Sequence, residues 1–103
     1  MSQHSDLTVV GDVMLGRGVA ESISALGVEA SAERVRAFWD APIVVGNLEC
    51  PLCEHRPGSD VKADGGPNLR ADPAMARWLV PAGFTAVSLA NNHMMDCGGD
   101  GLR

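Results

Sequence analysis

The sequence contains no tyrosine and only four aromatic side chains, two Trp and two Phe, in 103 residues. A core built from it must rest mainly on aliphatic side chains. No run of about 18 apolar residues occurs, which excludes a membrane-spanning helix in this sequence. The segment Met1 to Asp6 has neither a basic region nor an apolar one, so no secretory signal is read there and a cytoplasmic location is expected. Positive charge is scarce. Eight Lys and Arg stand against 13 Asp and Glu, for a net charge of -5, which leaves no basic patch and argues against nucleic acid as a partner. The glycine-rich segment Gly11 to Gly18 matches neither G-x-G-x-x-G nor G-x-x-x-x-G-K-[ST], and G-x-S-x-G is absent. Nucleotide cradling of those kinds and serine-based hydrolysis are therefore disfavoured.

What is present is a hydrophobic fraction of 46% gathered in clusters, the mark of one small globular unit rather than a disordered chain. Twelve Gly and six Pro make it rich in loops. Leu7 to Val10 is a short apolar, β-branched run stopped by Gly11-Asp12, and reads as a buried strand. Apolar residues at helical spacing come next, from Val19 to Leu26, with Gly27 as the stop. Ser31 suits the N-cap of a second helix reaching Trp39, with Val35, Phe38 and Trp39 on its apolar face. Ile43 to Val45 is a second strand, ended by Gly46-Asn47, and Leu48 to Pro67 a long loop. Asn68 to Arg70 reads as a short extended piece. Asp72-Pro73 caps and starts a helix running to about Val80. Thr85 to Ala90 is a third strand, ended by Asn91-Asn92, and Cys97 to Arg103 begins another helix. Strands alternating with helices predict an α/β fold, with three mostly parallel strands joined by right-handed crossover helices.

Three cysteines, an odd number, suggest a reducing compartment rather than a disulfide framework. Cys50 and Cys53 have C-x-x-C spacing with His55 nearby, which leaves open a small zinc or redox module that also draws on Cys97. The second C-x-x-C of a structural zinc site is missing, however, and the residues after Cys53 read as a loop rather than a helix.

The informative pattern lies in the residues at the end of each strand. The first strand runs into Gly11-Asp12, the second into Gly46-Asn47-Leu48-Glu49, and the third into Asn91-Asn92-His93, with Asp96 three residues on. Taken singly, each has a plain structural role. Asp12 can cap a turn, Asn47 and Asn92 can hold left-handed turns, His93 can be a satisfied loop residue, and Glu49 and Arg17 can be solvated. In a parallel sheet, however, all three sets fall at the carboxyl edge, where open α/β sheets bind ligands. Carboxylates, amide oxygens and imidazole are the donors of divalent metals. The chemistry this predicts is metal-assisted hydrolysis of a phosphoester or related bond. Asp12, Asn47, Glu49 and Asn92 would be the metal donors, His93 the general acid or the group that orients the leaving oxygen, and Arg17 the partner of an anionic substrate.

These same residues carry a resemblance. Val10-Gly11-Asp12-Val13-Met14-Leu15-Gly16-Arg17, Val45 to Leu52, and Gly83-Phe84 through Ser88-Leu89-Ala90-Asn91-Asn92-His93 with Asp96 resemble the CapA-type capsule-synthesis proteins, associated with poly-γ-glutamate capsules, in the calcineurin-like metallophosphoesterase superfamily. The resemblance spans about Leu7 to Leu102. It implies a partial metallophosphoesterase-like layered fold, a site for divalent metal ions (Mn, Mg, Zn or Fe) and an anionic or polyglutamate-type substrate. Asp12 matches the first metal-binding aspartate, and Asn47 and Glu49 match the second acidic motif. Asn92 matches the ligand asparagine and His93 the substrate-side histidine, while Asp96 and Gly98 match the tail of that motif. Met14 stands where the superfamily usually has a histidine, as is common in CapA-like proteins. The superfamily's later histidine motifs are not in residues 1–103. The resemblance therefore implies that residues 1–103 are the N-terminal part of a single, longer CapA-like domain, a fragment inactive alone. The alternative is a non-enzymatic binding or assembly component of capsule biosynthesis. The family motif also accounts for Cys50-Pro51-Leu52 without a metal on the cysteines.

Overall fold

Two β-branched runs form the main ladder of the sheet. In the computed structural model, which describes residues 4–54 and 68–102, Leu7–Val13 (β1) and Ile43–Leu48 (β2) lie parallel, with Leu7 opposite Ile43 and Val9 opposite Val45. Ala86–Ser88 (β3) joins the far side of β2, also parallel, in the order β1-β2-β3. Arg17–Leu26 (α1) and Val28–Arg36 (α2) connect β1 to β2. A turn of 3₁₀ helix at Pro73–Met75 leads into Ala76–Leu79 (α3), and Gly98–Leu102 (α4) comes after β3. The α/β class and the three parallel strands agree with the sequence reading. Among the described residues, no helix is long and apolar enough to cross a membrane.

Several boundaries move, each for a tertiary reason. β1 continues through Gly11-Asp12 to Val13, across a register shift between Val9 and Asp12. β2 likewise continues through Gly46-Asn47 to Leu48. Gly46 is required there by space rather than by conformation: a Cβ would come within 2.9 Å of both Phe84 Cε1 and Val13 Cγ2. β3 is shorter than expected, at three residues. The extended piece at Asn68–Arg70 forms no strand, and the pairing falls one residue on, as an isolated bridge between Ala71 and Leu52.

α2 starts three residues before Ser31. Gly27, at φ 90°, takes a backbone conformation that side chains resist, and lets the two helices abut across one residue. Ser31 is thus inside the helix, and its hydroxyl donates back to Gly27 O at 2.7 Å. α2 ends at Arg36, so Phe38 is not on a buried face but 85% exposed. Asp72 caps as expected, its carboxylate accepting from Ala74 N at 2.8 Å.

The core lies between one face of the sheet and the helices. Val13, Val44 and Leu48 meet Ile23, Ala32, Trp78 and Phe84 there. Three of the four aromatics gather in it. Trp39 meets Phe84 edge-on at 5.4 Å, and Phe84 meets Trp78 at 6.2 Å. The opposite sheet face carries Leu7, Val9 and Ile43, all at least half exposed.

Candidate functional site

Parallel strands of unequal sequence origin end at one edge, and here that edge collects polar side chains. Asp12 sits near the end of β1 and Asn47 opposite it in β2. Asn47 Nδ2 donates to Asp12 Oδ1 at 2.9 Å and to Glu49 Oε2 at 2.5 Å. Two carboxylates from different segments therefore converge on one amide nitrogen. Glu49 is fixed by its own backbone, since its N–H donates to Val13 O at 3.0 Å and extends the β1–β2 ladder.

The turn after β3 supplies the rest. Asn91 Nδ2 donates to Asn47 Oδ1 at 3.0 Å and to Leu48 O at 2.8 Å, while Asn91 Oδ1 accepts from His93 N at 3.0 Å. This one side chain ties β2 to the histidine turn. His93 Nδ1 lies 2.8 Å from Asp96 Oδ2, and His93 Nε2 lies 4.0 Å from Glu49 Oε1. An ionised carboxylate only accepts hydrogen bonds, so Nδ1 carries a proton and Nε2 is the atom turned toward Glu49. The Asp96 side chain is 1% exposed and also accepts from Leu69 N at 2.8 Å. Asn68 Nδ2 donates to Asp96 O at 2.8 Å.

Four of the six residues expected at this edge are thus brought together: Asp12, Asn47, Glu49 and His93. Asn92 is exposed, and it is its neighbour Asn91 that enters the network. Arg17 opens α1 with φ 54°, in the left-handed region, and its side chain is exposed. Met14 Sδ accepts from Gly16 N at 3.3 Å and holds the β1 turn locally. Sequence reasoning missed Asn91 because two identical adjacent residues give no sign of which one points inward. It left Asp96 without a role because the segment that grips it, Asn68-Leu69, lies 27 residues away.

The donor chemistry matches a divalent cation in part. Two carboxylates and two side-chain amides lie at the ends of the three strands, with an imidazole beside them. Among the described residues, no group of three or more His, Cys, Asp or Glu side chains is placed to hold a metal.

The cysteines depart from their sequence spacing. Cys50 and Cys53 do not pair. Cys53 instead forms a disulfide with Cys97, which corrects the expectation of reduced, unpaired cysteines. His55 and the stretch 55–67 lie outside the described residues. Cys50 is buried, its sulfur accepting from Leu15 N at 3.3 Å. Burial pushes its thiol above the usual 9.0, and the nearby Glu49 charge pushes the same way, against the lowering effect of the Leu15 hydrogen bond. The consequence for stability has a definite sign. Above pH 9.0 the unfolded chain gives up this proton while the folded chain keeps it. Thermal or denaturant melts should therefore show stability falling as pH rises past 9.0, by at most about 1.4 kcal/mol per pH unit, until the folded thiol ionises. The slope should vanish in Cys50→Ser, and a wild-type chain without it would contradict the assignment.

Comparison with known proteins gives a consistent result. The family model described as "Bacterial capsule synthesis protein PGA_cap" matches residues 6–103. The chain is 35% identical over 98 residues to "Capsule biosynthesis protein CapA" of Bacillus anthracis, covering 94% of this chain and 24% of that protein. It is 30% identical over 95 residues to "PGA biosynthesis protein CapA" of Bacillus subtilis (strain 168), covering 91% and 24%. The chain thus spans about a quarter of the length of the curated relatives it matches.

Proposed function

Because the chain belongs to the bacterial capsule synthesis protein family, we propose that its polar strand edge is part of a divalent-metal site serving capsule or poly-γ-glutamate biosynthesis. The observation that carries this reading is the convergence of Asp12 and Glu49, from separate segments, on the single Asn47 amide nitrogen. Carboxylate and amide oxygens gathered at one place are the hard donors that divalent cations take. Asp12 and Glu49 would hold the metal, with Asn47 and, on turning in from its exposed position, Asn92 as neutral oxygen donors. A metal so bound polarises anionic oxygens and lowers the pKa of a coordinated water.

The protein's own residues do the rest. Asp96 fixes the His93 ring with the proton on Nδ1, leaving Nε2 directed at the edge to give or take a proton. Asn91 holds the His93 turn against β2. Arg17, exposed at the start of α1, would pair with an anionic or polyglutamate-type substrate. For residues 1–103 alone, we propose binding without efficient turnover. The described residues bring two carboxylates and one imidazole to the edge, and the chain spans a quarter of its relatives' length. On this reading residues 1–103 are the N-terminal part of a single larger domain.

Calorimetric titration of the chain with Mn²⁺ tests the site. Asp12→Ala and Glu49→Gln should each weaken binding at least about tenfold, as losses around a metal centre do. Binding that is equal in wild type and both variants would reject these residues as donors. A generic phosphodiester assay on the same samples should show no rate above the metal-only control, and a rate that requires Asp12 would overturn the proposal of inactivity.

A further inference from the structure

We propose that Cys53 and Cys97 form a thiol–disulfide exchange site, reducible by a dithiol, that clasps the carboxylate of the His93–Asp96 pair. Their disulfide joins positions 44 residues apart, with Cα atoms 6.6 Å apart. Cys97 directly succeeds Asp96 in the chain. Cys53 N donates to Ala71 O at 3.0 Å, and Ala71 N donates to Pro51 O at 2.9 Å, so the segment after β2 is pinned to residue 71. Two residues before Ala71, Leu69 N donates to Asp96 Oδ2, and Asn68 grips Asp96 O. A closed ring results: from Asp96 to Cys97, across the disulfide to Cys53, across to Ala71, back along the chain to Leu69, and home to Asp96. Of its three cross-links, only the disulfide is covalent. Arg70 braces the ring from within, donating to Cys53 O at 3.0 Å. α4 folds back over the bond at Gly101, where any Cβ would collide with Cys97 Cβ.

Both sulfurs belong to residues that are only half-buried, whereas Cys50 is fully buried against Leu15 and stays outside the exchange. The chemistry balances. One thiolate of a dithiol attacks either sulfur and forms a mixed disulfide, and the displaced cysteine thiolate takes a proton. The second thiol of the reductant then displaces the remaining cysteine as a thiol and closes the reductant's own disulfide. Two electrons pass from the dithiol to the Cys53–Cys97 bond. Reduction opens the ring at its one covalent link and leaves Asp96, and through it the His93 ring, held by hydrogen bonds alone. The proposal rests on this connectivity and not on the metal reading, so a failed Mn²⁺ titration leaves it standing.

The chain is equilibrated in an oxidising glutathione buffer, denatured, alkylated and digested. One alkylated cysteine, Cys50, is expected, together with a cross-link between the peptide holding Cys53 and the peptide holding Cys97. Dithiothreitol should raise the count to three. Amide hydrogen exchange on the native chain should then accelerate at least about tenfold at residues 68–71 and 93–97 on reduction, while β1 and β2 amides keep their protection. Cys53→Ser with Cys97→Ser should show the fast pattern without reductant. Three alkylated cysteines in the oxidising buffer, a bond involving Cys50, exchange unaffected by reduction or by the double variant, or protection lost throughout β1 and β2 would each overturn the proposal.

Discussion

Trp78→Ala is expected to lower the melting temperature of this chain by roughly 15 to 30 °C, read by circular dichroism. The ring is 8% exposed and packs against Phe84, which in turn meets Trp39, so one truncation opens the joint between α2, α3 and the approach to β3. Its indole N–H also donates to Ser31 Oγ at 3.2 Å in the buried interior. Trp78 already lines an open apolar pocket of about 480 Å³ shared with Val10, Ile23, Val35 and Trp39. The void left by Ala therefore joins existing space instead of being closed by small shifts. Losses of this kind cost about 3–5 kcal/mol, a large share of what a chain of this size holds in reserve. Trp78→Phe keeps a six-membered ring but loses the pyrrole half of the indole along with the hydrogen bond, and should cost less than Trp78→Ala, about 1–3 kcal/mol. Phe38→Ala provides the contrast: at 85% exposure it should change stability by less than about 0.5 kcal/mol. Equal shifts for Trp78→Ala and Phe38→Ala would show that the aromatic joint is not where the stability lies.

That contrast marks how far the fold is legible in the sequence. The order of elements can be read because β-branched runs between glycines leave few alternatives to buried strands. The polar edge can be read because parallel strands must end together. Phe38 cannot be placed, because α2 ends at Arg36 and the helical spacing that would put it beside Val35 stops before it. The start of α2 at Val28 depends on Gly27 joining two helices across one left-handed residue, a choice set by how α1 and α2 pack. Gly46 looks like a stop in sequence and is a strand residue in the fold, because Phe84, 38 positions away, presses on it. Asn91 and Asn92 are chemically identical, and only the path of the turn decides which one reaches Asn47. The C-x-x-C spacing misleads for the same reason: Cys50 is drawn into the core by Leu15, and Cys53 is left to meet Cys97. Local chemistry thus fixes which residues are available at the edge, and long-range packing fixes which of them face it.

Asp96 is where local chemistry and packing meet, and its replacement should separate orientation from mere stability. Its buried carboxylate accepts from His93 Nδ1 and from Leu69 N, both at 2.8 Å. Asp96→Ala leaves both donors without their acceptor in a site with 1% exposure, and should cost about 3–5 kcal/mol, like breaking other buried pairs. Asp96→Asn keeps the shape and should cost less, because the amide oxygen can still accept from Leu69 N. Both contacts fall on the one oxygen Oδ2, so the amide oxygen placed there can also accept from His93 Nδ1. Only Asp96→Ala removes that acceptor and releases the proton to move to Nε2, the atom that lies 4.0 Å from Glu49. Nitrogen-15 NMR of the side chain at pH 8, above the ordinary histidine range, should therefore show the proton on Nδ1 in wild type and in Asp96→Asn, and a shift toward Nε2 in Asp96→Ala. Mn²⁺ binding through Asp12 and Glu49 should persist in Asp96→Asn, since neither carboxylate touches residue 96 through a direct hydrogen bond. A proton that stays on Nδ1 in Asp96→Ala would mean that Asp96 does not set the proton on His93, and its burial would then serve only to anchor Leu69.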